Sequence, residues 1–241
     1  MENEGILQPL SDHLEDVRRL IIRLLFAWGG ATLLVSFYLS PLIDFLLMPY
    51  GETLSSHFLL LSPLEGWWTG CFVALLGGAL LSLPILLFFM LGYVLPALYP
   101  EEGKKAVFLG GFLAFFSVLG FLVGHFTFAP LVIKALQTSV VVPGIPAYAV
   151  REALHFVVSL DLGVMVLFNL MGGLSIAVCK GWISPSTLAS WRKPYVLAAF
   201  VVGAILTPPD VLSQVLMAVG LIGGFELVLL VGKLLKRNEI Q

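Results

Sequence analysis

The chain has 241 residues, of which 59% are apolar and 12% are charged, whereas about a quarter of the residues in a typical soluble domain carry a charge. This balance excludes an ordinary soluble domain and predicts an integral membrane protein. The net charge of −2 excludes a basic nucleic-acid-binding protein, and two cysteines in apolar runs, Cys71 and Cys179, indicate neither a disulfide framework nor a metal site.

The amino-terminal segment is polar and acidic, and it ends with Arg18 and Arg19. A cleavable leader has the opposite order, with basic residues before its acid-free apolar stretch. The first apolar run is therefore expected to remain as a membrane anchor.

Six apolar runs follow, and each is interpreted as a helix that spans the bilayer. A spanning segment must satisfy its backbone hydrogen bonds internally, which an α-helix of about 20 apolar residues does. The sequence therefore predicts an all-α polytopic protein whose single membrane domain comprises residues 1–241. The predicted spans are residues 20–41, 69–93, 106–130, 154–179, 194–207 and 211–232.

Lysine and arginine are distributed unequally between the two sides of this predicted bundle. Of 13 such residues, 11 fall on the side of the termini and of the connections 94–105 and 180–193, and only Lys134 and Arg151 fall opposite. Because positive residues stay on the cytoplasmic side, both termini are expected to be cytoplasmic. The outer connections are then residues 42–68, 131–153 and 207–210.

The fifth predicted span is too short for a bilayer of ordinary thickness. Residues 194–206 reach about 20 Å as a helix, against about 30 Å for the hydrocarbon core. Pro208 and Pro209 end this helix. Asp210 is expected either to cap the sixth helix or, with Gln214 one turn later, to line a wet pocket on the outer side.

Polar residues inside the other spans are further candidates. Glu226 lies deep in the sixth span, where it needs a hydrogen-bond partner on another helix or must carry a proton. Asp161 and Asn169 share one face of the fourth span, where both could line one concave surface. Asp161 is near the outer end, where water can reach it, and Asn169 suits an interhelical hydrogen bond.

The sequence contains no pattern that indicates catalysis or metal binding. Its four histidines lack the close spacing of a zinc motif, and a G-x-S-x-G nucleophile turn is absent. The sequence therefore predicts neither an enzyme nor a cofactor.

Carboxylates stand among the basic residues of the cytoplasmic side. Glu15 and Asp16 precede Arg18, and Glu101 and Glu102 precede two lysines. Carboxylates pair bidentately with guanidinium groups, which suits a peptide with consecutive arginines. Ordinary solvated loop charges explain the same pattern, and the residues alone leave both interpretations open.

Four stretches carry a more specific pattern: PLSDHLEDVRRLIIRLL from residue 9, LSPLEGWWTG from residue 61, YVLPALYPEEGKK from residue 93, and WRKPYVLAAFVVGAILTPPDVLSQVLMA from residue 191. In this order they resemble the TatC family, the multispanning receptors of the twin-arginine protein translocation pathway. The resemblance implies a six-helix cup in the plasma (inner) membrane of a prokaryote. It also implies binding of the twin-arginine signal peptides of folded precursors, oligomeric assembly with the single-span subunits TatA and TatB, and export driven by the proton gradient.

The resemblance also assigns residues. The family pattern H-L-x-E-L-R covers residues 13–18, and F-x-x-P-A-L-Y-x-x-E covers residues 93–102. The implied signal-peptide site consists of Asp16, Arg18, Tyr93, Pro96, Glu101 and Glu102. The implied intramembrane polar and partner-contact positions are Asp161, Asn169, Asp210, Gln214 and Glu226.

Three of the assigned site positions depart from the family pattern. Asp16 replaces a glutamate, Tyr93 replaces a phenylalanine, and Asn169 takes the place of a glutamate in the middle of the fourth span. An amide forms hydrogen bonds but does not titrate, so a family requirement for a protonatable group is not met at this position. Asp161, two turns away, is a candidate for the missing acid.

The alternative function is a proton-coupled secondary transporter of a small solute. Such a protein would use Asp161, Asp210 and Glu226 as a proton relay. The sequence lacks the repeated halves with broken helices that many such transporters have. A passive assembly scaffold is a third interpretation, and it would bind its partners without using Glu102.

Overall fold

The computed structural model describes residues 4–51, 58–98, 103–138, 148–206 and 211–238. The helices are α1 (Glu4–Phe37), α2 (Leu39–Leu47), α3 (Pro63–Leu98), α4 (Gly103–Val123), α5 (Ala129–Thr138), α6 (Val150–Cys179), α7 (Pro185–Ser190), α8 (Arg192–Leu206) and α9 (Val211–Asn238). A π-helical turn, Gly124–Phe128, joins α4 to α5 without a break. Two strands of two residues each, β1 (Phe58–Leu59) and β2 (Tyr148–Ala149), pair in parallel.

Five helical stretches within the described residues are long and apolar enough to cross a membrane: Leu14–Phe37, Leu64–Tyr93, Phe108–Thr138, Val150–Cys179 and Gln214–Leu234. The helix expected at residues 194–207 is α8, whose 15 residues reach only about 22 Å. The last of the five stretches, with 21 residues, is also the shortest, although α9 itself continues to Asn238. The predicted all-α membrane fold is confirmed.

Proline ends the first helix earlier than the apolar pattern indicates. The first span was expected to reach residue 41, but α1 ends at Phe37 and α2 begins at Leu39 after a turn. Pro41 has no N–H for a helical hydrogen bond, and in a continued helix its ring would clash with the carbonyl of Phe37. The chain therefore turns, and α2 packs against α6.

The helices α1 and α3 pack in antiparallel fashion. A side chain at Gly78 would meet Thr32, and one at Gly70 would meet Leu39. The indole N–H of Trp28 donates a hydrogen bond of 3.0 Å to the Leu75 carbonyl. Outside this seam the described side chains of α1, residues 14–37, are mostly exposed, as expected of a helix that faces lipid.

Each long helix packs against the next in the order α1, α3, α4, α6, α9, α8. The helix α6 also contacts α2, α3 and α8, so it lies at the centre of the bundle. Its buried apolar side chains, among them Leu154, Val157 and Leu160, belong to the two largest core clusters.

The two ends of the bundle differ in structure. One end, called here the cap face, carries α2, the paired strands, α5 and the first residues of α3 and α6. Residues that were expected to be outer loops are therefore partly ordered as helix and strand, since apolar side chains such as Leu46 and Tyr50 are buried against α6. The opposite end, the terminal face, carries the start of α1, the end of α3, α7 and the end of α9.

Candidate functional site

The start of the apolar part of α1 presents a cluster of charged side chains at the terminal face. Glu15, Asp16, Arg18 and Arg19 are all exposed. The Arg19 guanidinium donates a hydrogen bond of 2.8 Å to the Glu15 carboxylate one turn earlier. Within the described part of the chain, Asp16 and Arg18 form no ion pair, so both remain accessible to a ligand.

The packing of α1 against α3 brings Tyr93 to the same depth as this cluster. Thr32 of α1 faces Gly78 of α3. Because the two helices are antiparallel, the residue number rises along one as it falls along the other, so the numbers of any two facing residues add up to about 110. Extended along both helices, this register places the half-buried Tyr93 level with residues 16–18. The two stretches, far apart in sequence, thus reach the same end of the bundle.

The remaining candidates at this face are less fully described. Pro96 belongs to the last turns of α3, but its side chain is outside the described set. Glu101 and Glu102 lie in the connection between α3 and α4, outside the described residues. Their part in a site stays a prediction.

Asn169 forms the interhelical hydrogen bonds that its position in α6 suggests. Its amide nitrogen donates to the Ser117 hydroxyl of α4 and to the Met165 carbonyl, both at 2.8 Å. The Ser117 hydroxyl lies 3.1 Å from the Asn169 amide oxygen and from the Leu113 carbonyl, and it can donate to either. Asn169 therefore links α4 to α6 without any titratable group.

Asp161 is sealed inside the protein, which corrects the expectation that water reaches it. Its side chain is 0% exposed, and one carboxylate oxygen lies 3.0 Å from Nδ1 of His125, which is 1% exposed. Within the described residues, the other oxygen has no hydrogen-bond partner. Sequence reasoning missed this partner because the two residues belong to different spans, and no spacing rule connects them.

Glu226 is paired with Arg192, the first residue of α8. The guanidinium donates a hydrogen bond of 2.5 Å to the carboxylate, and the side chains are 49% and 45% exposed. The pair lines a groove with Lys233 and several leucines of α9. Glu226 thus has a hydrogen-bond partner on another helix, as the sequence required, and the half-exposed pair lies near the start of α8 at the terminal face.

We expect the substitution Glu226→Gln to lower the free energy of unfolding by less than about 1 kcal/mol, because half-exposed ion pairs are screened by solvent. Unfolding in detergent at low and high salt measures this loss, which should shrink further in high salt. Arg192→Gln is the matched variant and should behave alike. A loss of about 3 kcal/mol or more in either variant would contradict a solvent-screened pair.

The connection between α8 and α9, residues 207–210, lies outside the described residues. Asp210 lies outside the described residues, and α9 begins at Val211, directly after it. The Gln214 amide donates a hydrogen bond of 3.2 Å to the Phe200 carbonyl and so ties α9 to α8. A cap or a wet pocket at Asp210 stays a prediction.

The two intramembrane acids that the structure describes, Asp161 and Glu226, do not converge on one site. Gly220 packs against Leu167, and this register places Glu226 about 12 residues, or about 18 Å, farther along the bundle than Asp161. Among the described residues, no group of three or more histidine, cysteine, aspartate or glutamate side chains could hold a metal ion.

Comparison with known proteins identifies the family of this chain. Residues 12–219 match the family model for the Sec-independent protein translocase protein TatC. TatC of Aquifex aeolicus is 33% identical over 245 residues, which cover 97% of this chain and 99% of that protein. TatC of Escherichia coli is 27% identical over 223 residues, which cover 91% of this chain and 86% of that protein.

The fold agrees with the sequence comparison. A crystal structure of the twin-arginine translocase receptor TatC is similar to this chain with a TM-score of 0.81 and 28% identity, over 92% of this chain and 98% of the other. TatC proteins are components of a translocase and not enzymes. The resemblance inferred from the sequence motifs is therefore confirmed, and the chain belongs to the TatC family of Sec-independent protein translocase proteins.

Proposed function

We propose that this chain is a receptor subunit that binds the twin-arginine signal peptides of folded precursors. In this proposal it assembles with TatA and TatB, as an oligomer, for export driven by the proton gradient. The observation that carries the proposal is the TatC match over residues 12–219, which includes both stretches of the implied peptide site.

The peptide arginines are proposed to meet Glu102, with Glu101 and Asp16 nearby. The antiparallel packing of α1 and α3 supports this arrangement, since it brings the α1 charges to the same end of the bundle as Tyr93. Planar guanidinium groups pair with carboxylates through two parallel hydrogen bonds, which supplies the preference for arginine. Arg18, Tyr93 and Pro96 are proposed to form the rest of the binding surface.

The terminal face is proposed to lie in the cytoplasm of a prokaryote and the cap face outside its plasma (inner) membrane. The support is the unequal distribution of lysine and arginine, with Lys134 and Arg151 the two that fall on the cap side. A cytoplasmic terminal face meets precursors before export, as a receptor must.

The edge formed by α8 and α9 is proposed to receive the single-span partners. The helix α8 has 15 residues and is too short for the usual bilayer, so the membrane must become thinner beside it. Apolar side chains of this edge, such as Leu197, Val201 and Val219, are exposed. Asp210 and Gln214 are proposed as polar contacts at its outer end.

A proton-coupled solute transporter is the less favoured function. The relay that it needs would join Asp161 to Glu226, and these residues form separate pairs with His125 and Arg192. Solute uptake by the chain reconstituted alone in vesicles would support the transporter. We expect no such uptake.

Site-specific photo-crosslinking tests the receptor proposal. A photoreactive residue at position 102 should crosslink to a precursor with a twin-arginine signal peptide, and crosslinking should be lost with a twin-lysine peptide. The same probe at Glu152, exposed at the cap face, is the matched control and should give no peptide crosslink. Failure at position 102, or equal crosslinking at Glu152, would overturn the proposed site.

A further inference from the structure

A buried polar pair at the cap-face end of the bundle has no part in the proposed peptide site. His125 lies in the π-helical turn between α4 and α5, and its ring stacks on Phe45 with 4.3 Å between the ring centroids. Its Nδ1 lies 3.0 Å from Asp161 Oδ2, and its Nε2 lies 3.1 Å from the Phe45 carbonyl oxygen. The pair thus connects α2, the π-helical turn and α6.

The chemistry of these contacts determines where hydrogen atoms must be. A carbonyl oxygen only accepts hydrogen bonds, so Nε2 of His125 must carry a hydrogen and donate it to Phe45. If Asp161 is a carboxylate, Nδ1 must also carry a hydrogen. If Nδ1 carries none, Asp161 must be protonated and donate. Both cases place one proton between Nδ1 and Oδ2.

We propose that His125 and Asp161 form an intramembrane proton-binding site, which holds one proton between Nδ1 and Oδ2 and fastens α2 to α6. Loss of this proton would leave two acceptors 3.0 Å apart and a net negative charge away from water, which is costly. Asp161 Oδ1 is already buried, and no described residue gives it a hydrogen bond, so the described part of the chain offers the site no spare donor that could compensate such a charge. This inference does not depend on peptide binding.

No other charged side chain compensates the pair within the described part of the chain. The described acidic and basic side chains of the elements packed around it are Asp44, Glu65, Lys134, Arg151, Glu152 and His155. All of them are exposed except Glu65, whose carboxylate accepts a hydrogen bond from the backbone N–H of Leu61. The proton is therefore held by the pair itself.

The proposal predicts a specific dependence of stability on pH. Above about pH 6.5 the unfolded chain carries a neutral histidine and an ionised aspartate, so the folded pair holds one proton more than the unfolded chain. The melting temperature of the wild type should therefore be level from about pH 5 to 6.5 and then fall by about 3 °C per pH unit. The variant H125F/D161L, which has neither group, is the baseline for all other titrations.

The two single variants should depart from this baseline in opposite directions. In H125F the aromatic stack remains but Asp161 is buried alone, so the melting temperature should drop by about 5 °C or more and fall continuously from about pH 5 upward.

In D161N a neutral His125 can still accept a hydrogen bond. Its melting temperature should rise between about pH 5 and 7, because only the unfolded histidine gains a proton there. S117A, which removes a non-titratable bond between α4 and α6, keeps both His125 and Asp161 and should therefore show the pH dependence of the wild type.

Thermal unfolding of the purified full chain in detergent measures these values. Identical pH dependence of the wild type and H125F/D161L between about pH 7 and 9 would overturn the proposal. If a variant fails to fold, ¹⁵N NMR of histidine-labelled wild type gives a second measurement. One histidine with a protonated Nε2 should keep its signal unchanged from about pH 5 to 9, and titration of every histidine would overturn the proposal.

Discussion

Replacing Glu102 by glutamine is expected to weaken the binding of a twin-arginine signal peptide by about tenfold or more. Hydrogen bonds that involve a charged group contribute about 1.5–3 kcal/mol. Glutamine has nearly the same shape as glutamate but no charge, so the variant loses most of this contribution. Peptide titration of the purified chain in detergent measures the loss. A higher salt concentration should reduce the difference in peptide affinity between the wild type and the variant, because salt screens the attraction between the carboxylate and the peptide arginines.

Two comparisons distinguish a specific arginine-binding site at Glu102 from general electrostatic attraction between the peptide and the protein. A twin-lysine peptide should bind the wild type poorly, because an ammonium group lacks the planar fork of guanidinium. Glu152→Gln removes the same charge from the cap face and should leave binding unchanged. Equal affinity for arginine and lysine peptides, or an equal loss in both glutamine variants, would contradict a carboxylate receptor at position 102.

The substitution Gly78→Val is expected to separate α1 from α3 and to destabilise the protein by about 2–3 kcal/mol. A Cβ at this position would lie 2.7 Å from Cα and 2.8 Å from the backbone nitrogen of Thr32. These are backbone atoms, so the strain cannot be relieved by a side-chain rotation. Since Asp16 and Tyr93 are carried by these two helices, peptide binding should fall together with stability.

Gly29→Val is the matched control for this substitution. Gly29 belongs to α1, and a Cβ there would have no neighbour within 4 Å. This variant should keep the melting temperature and the peptide affinity of the wild type. If both valine variants behave alike in thermal unfolding, the close approach at Gly78 does not hold α1 against α3.

Much of the proposed peptide site could be predicted from local sequence. Residues 9–25 and 93–105 carry family motifs that are readable without a fold. Their meeting at one face could not be predicted from either motif, since it depends on the antiparallel contact of α1 with α3 through Gly78 and Thr32. A glycine in an apolar run looks the same in sequence whether it is exposed on the outside of the bundle, as Gly29 is, or packs against a neighbouring helix, as Gly78 does.

The membrane character, the helices and the shortness of α8 were determined by the sequence itself, because transfer into lipid depends on the composition and length of each segment. Even the early end of α1 has a local cause in Pro41. Only the tertiary structure decided which polar residues became partners. His125 and Asp161, like Arg192 and Glu226, lie on different helices, and pairing across a bundle depends on which helix faces meet. Spacing along one chain does not encode that choice.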